Sequence, residues 1–285
     1  MIKFGPSGFC EDFSLNHKKS EEMPNWLEEH NLKAYEISFT NGINYGDEKC
    51  LKLGKLFAEK GISLSVHAPY YINFANPNPE MIEKSIGYII NSLKKMKLLG
   101  ATRLVFHPGS LMKQSREQAH ENIMKNLKLL LKRIDEQQFD FDFYICPETM
   151  GKHGQCGTVA EVAQMCALDT RIIPTLDFGH INSFNGGSLK TKLDYKMVFD
   201  TLKNYLGDRF NKVHIHFSKI EYGDKGEIRH LNFETDDKGY GPDFLPLAQV
   251  LSELNINANV ISESSGKQTK DAVAMQNLYN YCKKI

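Results

Sequence analysis

Eight short apolar segments, separated by longer amphipathic stretches, are the feature of this 285-residue sequence that most constrains its fold. The segments begin at Ile2, Ala34, Ser63, Thr102, Asp142, Arg171, Lys212 and Asn259. Each is short and nearly continuous in its apolar residues, which is typical of strands in a parallel sheet that is covered by helices on its outer side. Eight such units in about 285 residues predict a closed (β/α)8 TIM barrel, which we expect to form one domain over residues 1–285.

The intervening stretches carry helical patterns. After the third strand, apolar residues recur at helical spacing at Ile82, Ile86, Ile89, Ile90, Leu93 and Met96, and Gly100 is well placed to end that helix. Thr158 and Glu161 form a predicted capping box at the start of a later helix. One long segment, residues 218–242, shows neither pattern and is predicted to be an irregular loop on the face where barrels carry their active sites.

Composition limits the class of protein. Lys plus Arg and Asp plus Glu both number 35, so bulk positive charge does not explain binding to nucleic acid, although a local basic groove stays possible. The six cysteines are scattered without a CxxC pair, which argues against a zinc finger. No signal-peptide core and no apolar run of membrane-spanning length is present, so we expect a soluble cytoplasmic protein, and we expect it to be monomeric.

Histidines and carboxylates cluster at the ends of the predicted strands and in the loops that follow them. They are His67, His107, Glu148, Asp177, His180, His214, His216, Glu227, His230 and Glu263. Because the carboxyl ends of all eight strands meet at one mouth of a barrel, these side chains are expected to converge. Any one of these histidines is explained equally well by an ordinary hydrogen bond, and a single glutamate by a salt bridge.

The whole set is harder to explain without metal ions, because few Lys or Arg residues accompany these carboxylates. Mixed histidine and carboxylate ligands suit zinc, with manganese or iron as alternatives. So many ligands imply two or three ions and at least one bridging carboxylate. Paired metal ions activate water and stabilise a leaving oxygen, which predicts hydrolysis of a phosphodiester.

Five short motifs carry a resemblance to a known family. The segments "SVHAPYYINFANP", "VFHPGS", "PETMG", "LDFGH" and "VHIHFSK", in this order, resemble the endonuclease IV family of apurinic/apyrimidinic endonucleases. The resemblance implies a TIM barrel with three zinc ions that cleaves DNA 5′ to an abasic site in base excision repair. It also implies that Glu148 bridges two ions and, as a catalytic ligand, holds the attacking hydroxide between them.

Residue by residue, the resemblance implies three sites. His67 and His107 would hold one zinc ion, which Glu148 links to a second. The second ion would also be bound by Asp177, His214 and Glu263. The third ion would be bound by His180 and His230.

The sequence departs from the family at the third site. Ile228 stands where the family has an aspartate ligand, and the neighbouring Glu227, which has a longer side chain, is a candidate to reach the ion in its place. His216 stands where the family has an asparagine, on the same strand face as His214, and either adds a ligand or packs.

Substrate contacts are expected from Tyr70, Tyr71 and Asn73, although these residues would equally serve to pack their own loop. Lys152 and Lys219 follow ligand-bearing strands and are weaker candidates for a phosphate contact. Glu234, Asp236 and Asp237 lie in the long loop and would repel DNA phosphates unless they bind a metal or face away.

Two other functions remain open at this stage. The first is a sugar isomerase or epimerase of the xylose-isomerase-like barrels, which would bind a small sugar with one or two divalent ions. The second is a metal-binding barrel without catalytic activity.

Overall fold

The computed structural model describes residues 2–40, 42–236 and 238–284, and its eight central strands are parallel. The strands are Ile2–Pro6, Ala34–Ser38, Ser63–His67, Arg103–Phe106, Tyr144–Pro147, Thr175–Asp177, Lys212–Phe217 and Asn257–Ser262. We number them one to eight in chain order. Each of these strands overlaps one of the eight predicted segments, so the predicted order of strands is confirmed.

Hydrogen-bonded neighbours close these strands into a barrel. Strands two to five form one run of neighbours, and strands six, seven, eight and one form the other. Isolated parallel bridges join the two runs, from Ser7 to Glu36 on one side and from Ile145 to Ile172 and Glu148 to Thr175 on the other. Every central strand therefore has a partner on both sides, which is the arrangement of the predicted (β/α)8 barrel.

Helices surround the barrel. The α-helices are Glu11–Asn16, Met23–Glu29, Asp47–Glu59, Pro79–Leu99, Arg116–Glu136, Val159–Cys166, Phe178–Phe184, Lys192–Leu206, Phe244–Glu253 and Gln268–Cys282, with 3₁₀ turns at Ser20–Glu22 and Gly207–Asn211. Gly100 caps the helix Pro79–Leu99 in the left-handed conformation, with φ of 65°, as its position predicts. Thr158 and Glu161 form the predicted capping box. None of the described helices has the length and apolar character needed to cross a membrane.

Two segments differ from the prediction. The sixth strand is shorter than expected and begins after Pro174, since proline has no N–H to donate to a neighbouring strand. The supposedly irregular segment 218–242 contains an antiparallel hairpin of strands Lys219–Gly223 and Gly226–Leu231. Pairing within the hairpin satisfies backbone groups that would otherwise lack partners over this length of chain.

The apolar core lies between the barrel and its helices. Outward-facing residues of the strands, such as Leu64, Val66, Leu104 and Phe106, are at most 4% exposed and pack in the main hydrophobic cluster. Inside the barrel, the second cluster is far smaller and contains Val105, Cys146 and Ile173. The fold therefore derives most of its hydrophobic stabilisation from the outer layer, which leaves the inner face free for polar side chains.

Candidate metal centre

Histidine and carboxylate side chains meet at the carboxyl ends of the strands in overlapping groups. Within each group, one ligand atom from every residue lies within 4.8 Å of the others. The first group is His67, His107 and Glu148; the second is Glu148, Asp177, His216 and Glu263; the third is His180, Glu227 and His230; and the deep group is Glu36, His214 and His216. Glu148 belongs to the first two groups, so one carboxylate joins them.

The first group is formed by strands three, four and five. His67 Nε2 and His107 Nε2 lie 3.3 Å and 3.2 Å from the same oxygen, Oε2 of Glu148. His67 Nδ1 lies 2.9 Å from the carbonyl oxygen of Ala68, which can only accept a hydrogen bond. The proton of the neutral imidazole is therefore on Nδ1, and the lone pair of Nε2 is directed at the centre of the group.

The second group shares Glu148 through its other oxygen. Oε1 of Glu148 lies 3.0 Å from Nδ1 of His216, which is also 3.5 Å from Oε1 of Glu263. Burial opposes ionisation of Glu148, yet the positive charge of His216 and hydrogen bonds from the surrounding histidines hold its pKa well below the usual range. Burial raises the pKa of Glu263 instead. Glu148 is thus an ionised carboxylate whose two oxygens face two different groups.

Asp177 completes the second group and also caps the next helix. Its Oδ1 accepts a hydrogen bond of 2.8 Å from the backbone N–H of His180, the N-cap interaction of the helix Phe178–Phe184. Its Oδ2 is buried and has no hydrogen-bond partner among the described residues. A buried carboxylate oxygen without a partner is unfavourable, and a cation at the centre of the group would compensate it.

The charges of the site also fit metal binding. Among the described residues, no Lys or Arg nitrogen lies within 4.0 Å of a carboxylate oxygen of Glu148, Asp177 or Glu263. Burial opposes protonation of His180, but the nearby charges of Asp177, Glu148 and Glu227 raise its pKa to about 9. The carboxylates thus create a strongly negative potential, and the nitrogen and oxygen donors are those that zinc, manganese and iron accept.

The third group is formed by the helix after strand six and by the hairpin. His180 Nε2 lies 3.4 Å from Oε2 of Glu227, and His230 Nε2 lies 3.8 Å from Oε1 of the same residue. His180 Nδ1 is 2.9 Å from the carbonyl oxygen of Thr149, so in the neutral ring, the form that binds a metal, the lone pair is on Nε2 and is directed at Glu227. Glu227 thus lies within reach of both histidines of the third group, and its role as a replacement for the missing aspartate stays a prediction.

A β-bulge explains how Glu227 reaches this position. Tyr222 pairs with Glu227, but the adjacent Glu221 pairs with Arg229, so Ile228 is an extra residue on its strand. The bulge turns Glu227 to the side that His230 occupies, whereas Ile228 is 57% exposed. Because of this one extra residue, Glu227 rather than Ile228 faces the third group.

Two glycines, Gly151 and Gly226, allow close contact that holds the Glu227 end of the hairpin in place. The backbone N–H of Glu227 donates to the carbonyl oxygen of Gly151 at 3.0 Å. A Cβ atom at Gly151 would approach Cβ of Glu227 to 2.9 Å, and one at Gly226, where φ is +88°, would approach the Gly151 oxygen to 2.1 Å. Glycine at both positions therefore allows the hairpin to dock beside strand five.

The histidines of strand seven are exchanged relative to the expected assignment. We expected His214 in the second group and His216 as an additional ligand or packing residue, but His216 lies in that group and His214 lies below it. The parallel register explains this correction, because Asp177 is level with His216 whereas His214 is level with Thr175. Two residues along a strand correspond to about 6.6 Å of depth in the barrel.

The deep group contains Glu36, which the sequence analysis did not identify. Glu36 lies on strand two and is fully buried, and its Oε2 accepts hydrogen bonds from Ser65 Oγ at 2.9 Å and His214 Nε2 at 3.0 Å. The available signal was a lone carboxylate inside the apolar segment "AYEISF". Glutamate is seldom fully buried without a partner, so this residue indicated an inward-facing polar cluster.

The predicted substrate residues have three different environments. Tyr70 is 55% exposed, and its ring stacks on His107 with centroids 4.8 Å apart. Tyr71 is also exposed and lies near the ring of Tyr88. Asn73 is bonded within the protein: Oδ1 accepts from the N–H groups of Ala75 and Ser110, and Nδ2 donates to Ser110 Oγ. Tyr70 is therefore the one of the three that directly adjoins the first group.

Two of the three acidic residues in question, Glu234 and Asp236, are engaged away from the candidate centre. Asp236 accepts hydrogen bonds from the N–H groups of Tyr240 and Gly241 and lies 3.1 Å from Lys219 Nζ. Glu234 contacts Lys270, and Asp237 lies outside the described residues. Lys219 is thus paired with an acid, whereas Lys152 is half exposed and 3.9 Å from Glu227.

Comparison with known proteins places the chain among related barrels. A protein of unassigned function from Methanocaldococcus jannaschii is 32% identical over 98% of this chain and 97% of its own length. A probable endonuclease 4 from Mycoplasma genitalium is 32% identical over 62% of this chain and 59% of its own length. The chain thus spans somewhat less than two thirds of that endonuclease relative.

Solved structures agree on the fold. Endonuclease IV from Thermus thermophilus superposes with a TM-score of 0.68 at 19% identity and covers 99% of both chains. A D-tagatose 3-epimerase-like protein superposes with a TM-score of 0.72 at 22% identity, over 99% of this chain and 97% of its own.

The family follows from these comparisons. The family model of the xylose isomerase-like TIM barrel matches residues 24–279. Together with the endonuclease 4 relatives, this match confirms the resemblance to endonuclease IV on which the sequence analysis relied. This chain belongs to the xylose isomerase-like TIM barrel family.

Proposed function

We propose that this protein is a metal-dependent phosphodiesterase that incises DNA 5′ to abasic sites. The observation that carries the proposal is the sharing of Glu148 between two groups of ligands, with a third group beside them. An arrangement of this kind is suited to two or three closely spaced ions, and paired ions are the usual means of cleaving a phosphodiester. The relatives named probable endonuclease 4 support the same reaction.

Each side chain has a defined part in this proposal. The two oxygens of Glu148 face different groups and set the spacing between them. Asp177, His216 and Glu263 complete the second group, and His180, Glu227 and His230 form the third. When bound, zinc, or manganese or iron in its place, would supply Lewis acidity at the phosphate and lower the pKa of an attacking water.

Exposed apolar side chains near the mouth support a nucleic acid substrate. Tyr70 and Tyr71 follow strand three, Met112 follows strand four, and Ile228 is on the hairpin; all are more than half exposed. Aromatic side chains stack on bases or sugars that are not paired, such as those beside a missing base. Because the formal net charge is zero, contacts of this kind must supplement electrostatic attraction.

A sugar epimerase is the second candidate. The second group alone has enough ligands for one divalent ion, and one structural neighbour is described as D-tagatose 3-epimerase-like. The first and third groups distinguish the candidates, because a site with one ion does not require His67, His107 or Glu227. Their convergence favours the phosphodiesterase.

The test uses the zinc-loaded protein with a DNA duplex that contains one abasic site. We expect incision 5′ to the lesion, loss of incision after chelation, and no incision of an undamaged duplex. His107→Ala should abolish incision because it removes a ligand of the first group. If the metal-replete protein does not cut but interconverts ketohexoses, and His107→Ala retains that activity, the phosphodiesterase proposal is wrong.

A further inference from the structure

We propose that Glu36 is a positioning residue that orients His216 toward the metal centre from below. The inference rests on the metal centre of the proposed function, but it does not depend on DNA being the substrate. Glu36 and His216 are both fully buried, on strands two and seven of the barrel. His216 faces Glu36 with one ring nitrogen and the second group with the other.

The carboxylate of Glu36 lies between two imidazoles. Its Oε2 accepts hydrogen bonds from His214 Nε2 and Ser65 Oγ, and its Oε1 lies 3.0 Å from Nε2 of His216. The contact with His216 is short but does not have the alignment of a hydrogen bond, and neither atom has another partner among the described residues. Each atom is therefore the nearest available partner for the other in a region without exposure to solvent.

This contact determines which nitrogen of His216 can bind an ion. Without an ion, Nδ1 shares a hydrogen bond of 3.0 Å with Oε1 of Glu148, so binding of an ion by Nδ1 would displace a proton from this atom. A carboxylate accepts hydrogen bonds, so the nitrogen that faces Glu36 would then keep its N–H. The neutral ring then carries its lone pair on Nδ1, the atom directed at Glu148 and Glu263. Glu36 would thus fix the tautomer and the ring orientation, and its negative charge would strengthen the imidazole as a ligand.

Other histidines of the centre are held in a comparable way but by weaker partners. The outer nitrogens of His67 and His180 face the backbone carbonyls of Ala68 and Thr149, and that of His230 faces Ser218 Oγ. The outer nitrogen of His180 also lies 3.4 Å from Asp177 Oδ2, but Asp177 is itself a member of the second group. Of these four histidines, His216 is the one whose outer nitrogen faces a carboxylate from outside the first three groups. A carboxylate opposite an imidazole nitrogen adds a negative charge that a backbone carbonyl or a hydroxyl lacks, so removing the charge of Glu36 should change one ion-binding site more than the others.

The test is a cobalt titration of the metal-free full-length protein and of Glu36→Gln, which preserves the shape of the side chain. Cobalt absorption bands report the number of bound ions and their coordination without any catalytic assay. We expect Glu36→Gln to weaken one cobalt site by roughly 10–100-fold and to alter its absorption, with full occupancy recovered at high cobalt concentration. Glu161→Gln, which changes a buried glutamate away from the centre, is the matched control and should titrate like the wild type.

Three results would overturn the proposal. Titration of Glu36→Gln identical to the wild type would show that Glu36 does not position His216, while leaving the metal centre intact. Permanent loss of one site at saturating cobalt would show that Glu36 is itself a ligand. Absence of cobalt binding by the wild type would contradict the metal centre and thus the proposed function itself.

A second measurement applies if Glu36→Gln does not fold. Nitrogen-15 NMR of the histidine rings in the zinc-loaded wild type identifies the protonated nitrogen of each imidazole. We expect His216 to carry its proton on Nε2 and to bind zinc through Nδ1. Zinc bound through Nε2, with the proton on Nδ1, would contradict the role of Glu36.

Discussion

The outer and inner faces of the same barrel strands differ sharply. On strand three, Leu64 and Val66 point outward into the main hydrophobic cluster. On the inner face of the same strand, Ser65 donates to Glu36 of the deep group and His67 belongs to the first group. Strand seven repeats the pattern, with Val213 and Ile215 outside and His214 and His216 inside. The alternation follows from the period of two along a strand, which sends successive side chains to opposite faces.

This difference indicates how the barrel accommodates so polar an interior. In many TIM barrels, layers of branched apolar residues fill the inside. Here the apolar inner cluster of Val105, Cys146 and Ile173 is small, and fully buried carboxylates and imidazoles occupy the layers above and beside it. We infer that the outer face supplies the stability and the inner face supplies the chemistry, so substitutions on the two faces should have separable effects.

The largest expected effect is on the inner face. Glu148→Gln should lower incision of abasic DNA by roughly 10³-fold, because the carboxylate shared by two groups supports several kcal/mol of metal-dependent stabilisation. The barrel should remain folded, as measured by circular dichroism. Near-normal incision by this variant would show that Glu148 is not a bridging ligand.

The corresponding change on the outer face is Leu104→Ala. Leu104 is fully buried, so its truncation should lower the free energy of unfolding by about 2–5 kcal/mol, measured by urea denaturation. Leu193→Ala, at a position where the side chain is 64% exposed, is the control and should have little effect. If Leu104→Ala abolished metal binding by the folded protein, the two faces would not be separable.

A smaller effect is expected at the edge of the centre. Glu227→Ala should weaken one metal site by roughly 10–100-fold, because it removes the carboxylate of the third group. Glu221→Ala, on the opposite strand of the hairpin and paired with Arg229, is the matched control. Equal metal stoichiometry and affinity for both variants would show that Glu227 is not a metal ligand.

The smallest expected effect lies in the helical layer. Glu161 caps its helix through the N–H groups of Gly157 and Thr158 and pairs with Arg116. Burial opposes its ionisation, but these contacts lower its pKa below 4.5. Glu161→Gln should therefore cost about 1 kcal/mol at pH 7.

The effect of Glu161 should depend on pH in one direction. Because its pKa is lower in the folded protein, its contribution is present above pH 4.5 and is lost as the pH falls through the folded pKa. Urea denaturation of the wild type and of Glu161→Gln at several pH values measures the difference. A difference that grows on acidification would contradict the assigned contacts.

Much of the fold was predictable from local patterns. The strand segments, the helix that Gly100 ends and the capping box at Thr158 are encoded within a few residues of sequence, and the structure confirms them. The convergence of the histidine and carboxylate side chains at one mouth of the barrel was also predictable, since the carboxyl ends of all strands in a barrel lie together. These features depend only on the spacing of apolar residues and on the order of strands and helices along the chain.

The remaining details depend on pairing between distant segments. The position of His216, rather than His214, beside Glu148 and Asp177 follows from the register of strand seven against strand six, which no local pattern specifies. The position of Glu227 follows from a bulge in a hairpin that the sequence did not reveal. Glu36 lies 178 residues from its partner His214, so its apolar neighbours in the sequence indicated burial but could not identify this partner.

The most direct test of the account is anomalous X-ray diffraction from crystals of the zinc-loaded protein, collected on both sides of the zinc absorption edge. We predict three zinc positions, one within each of the first, second and third groups, with Glu148 in contact with two of them. A single ion held only by Glu148, Asp177, His216 and Glu263 would contradict the multinuclear centre and favour the epimerase.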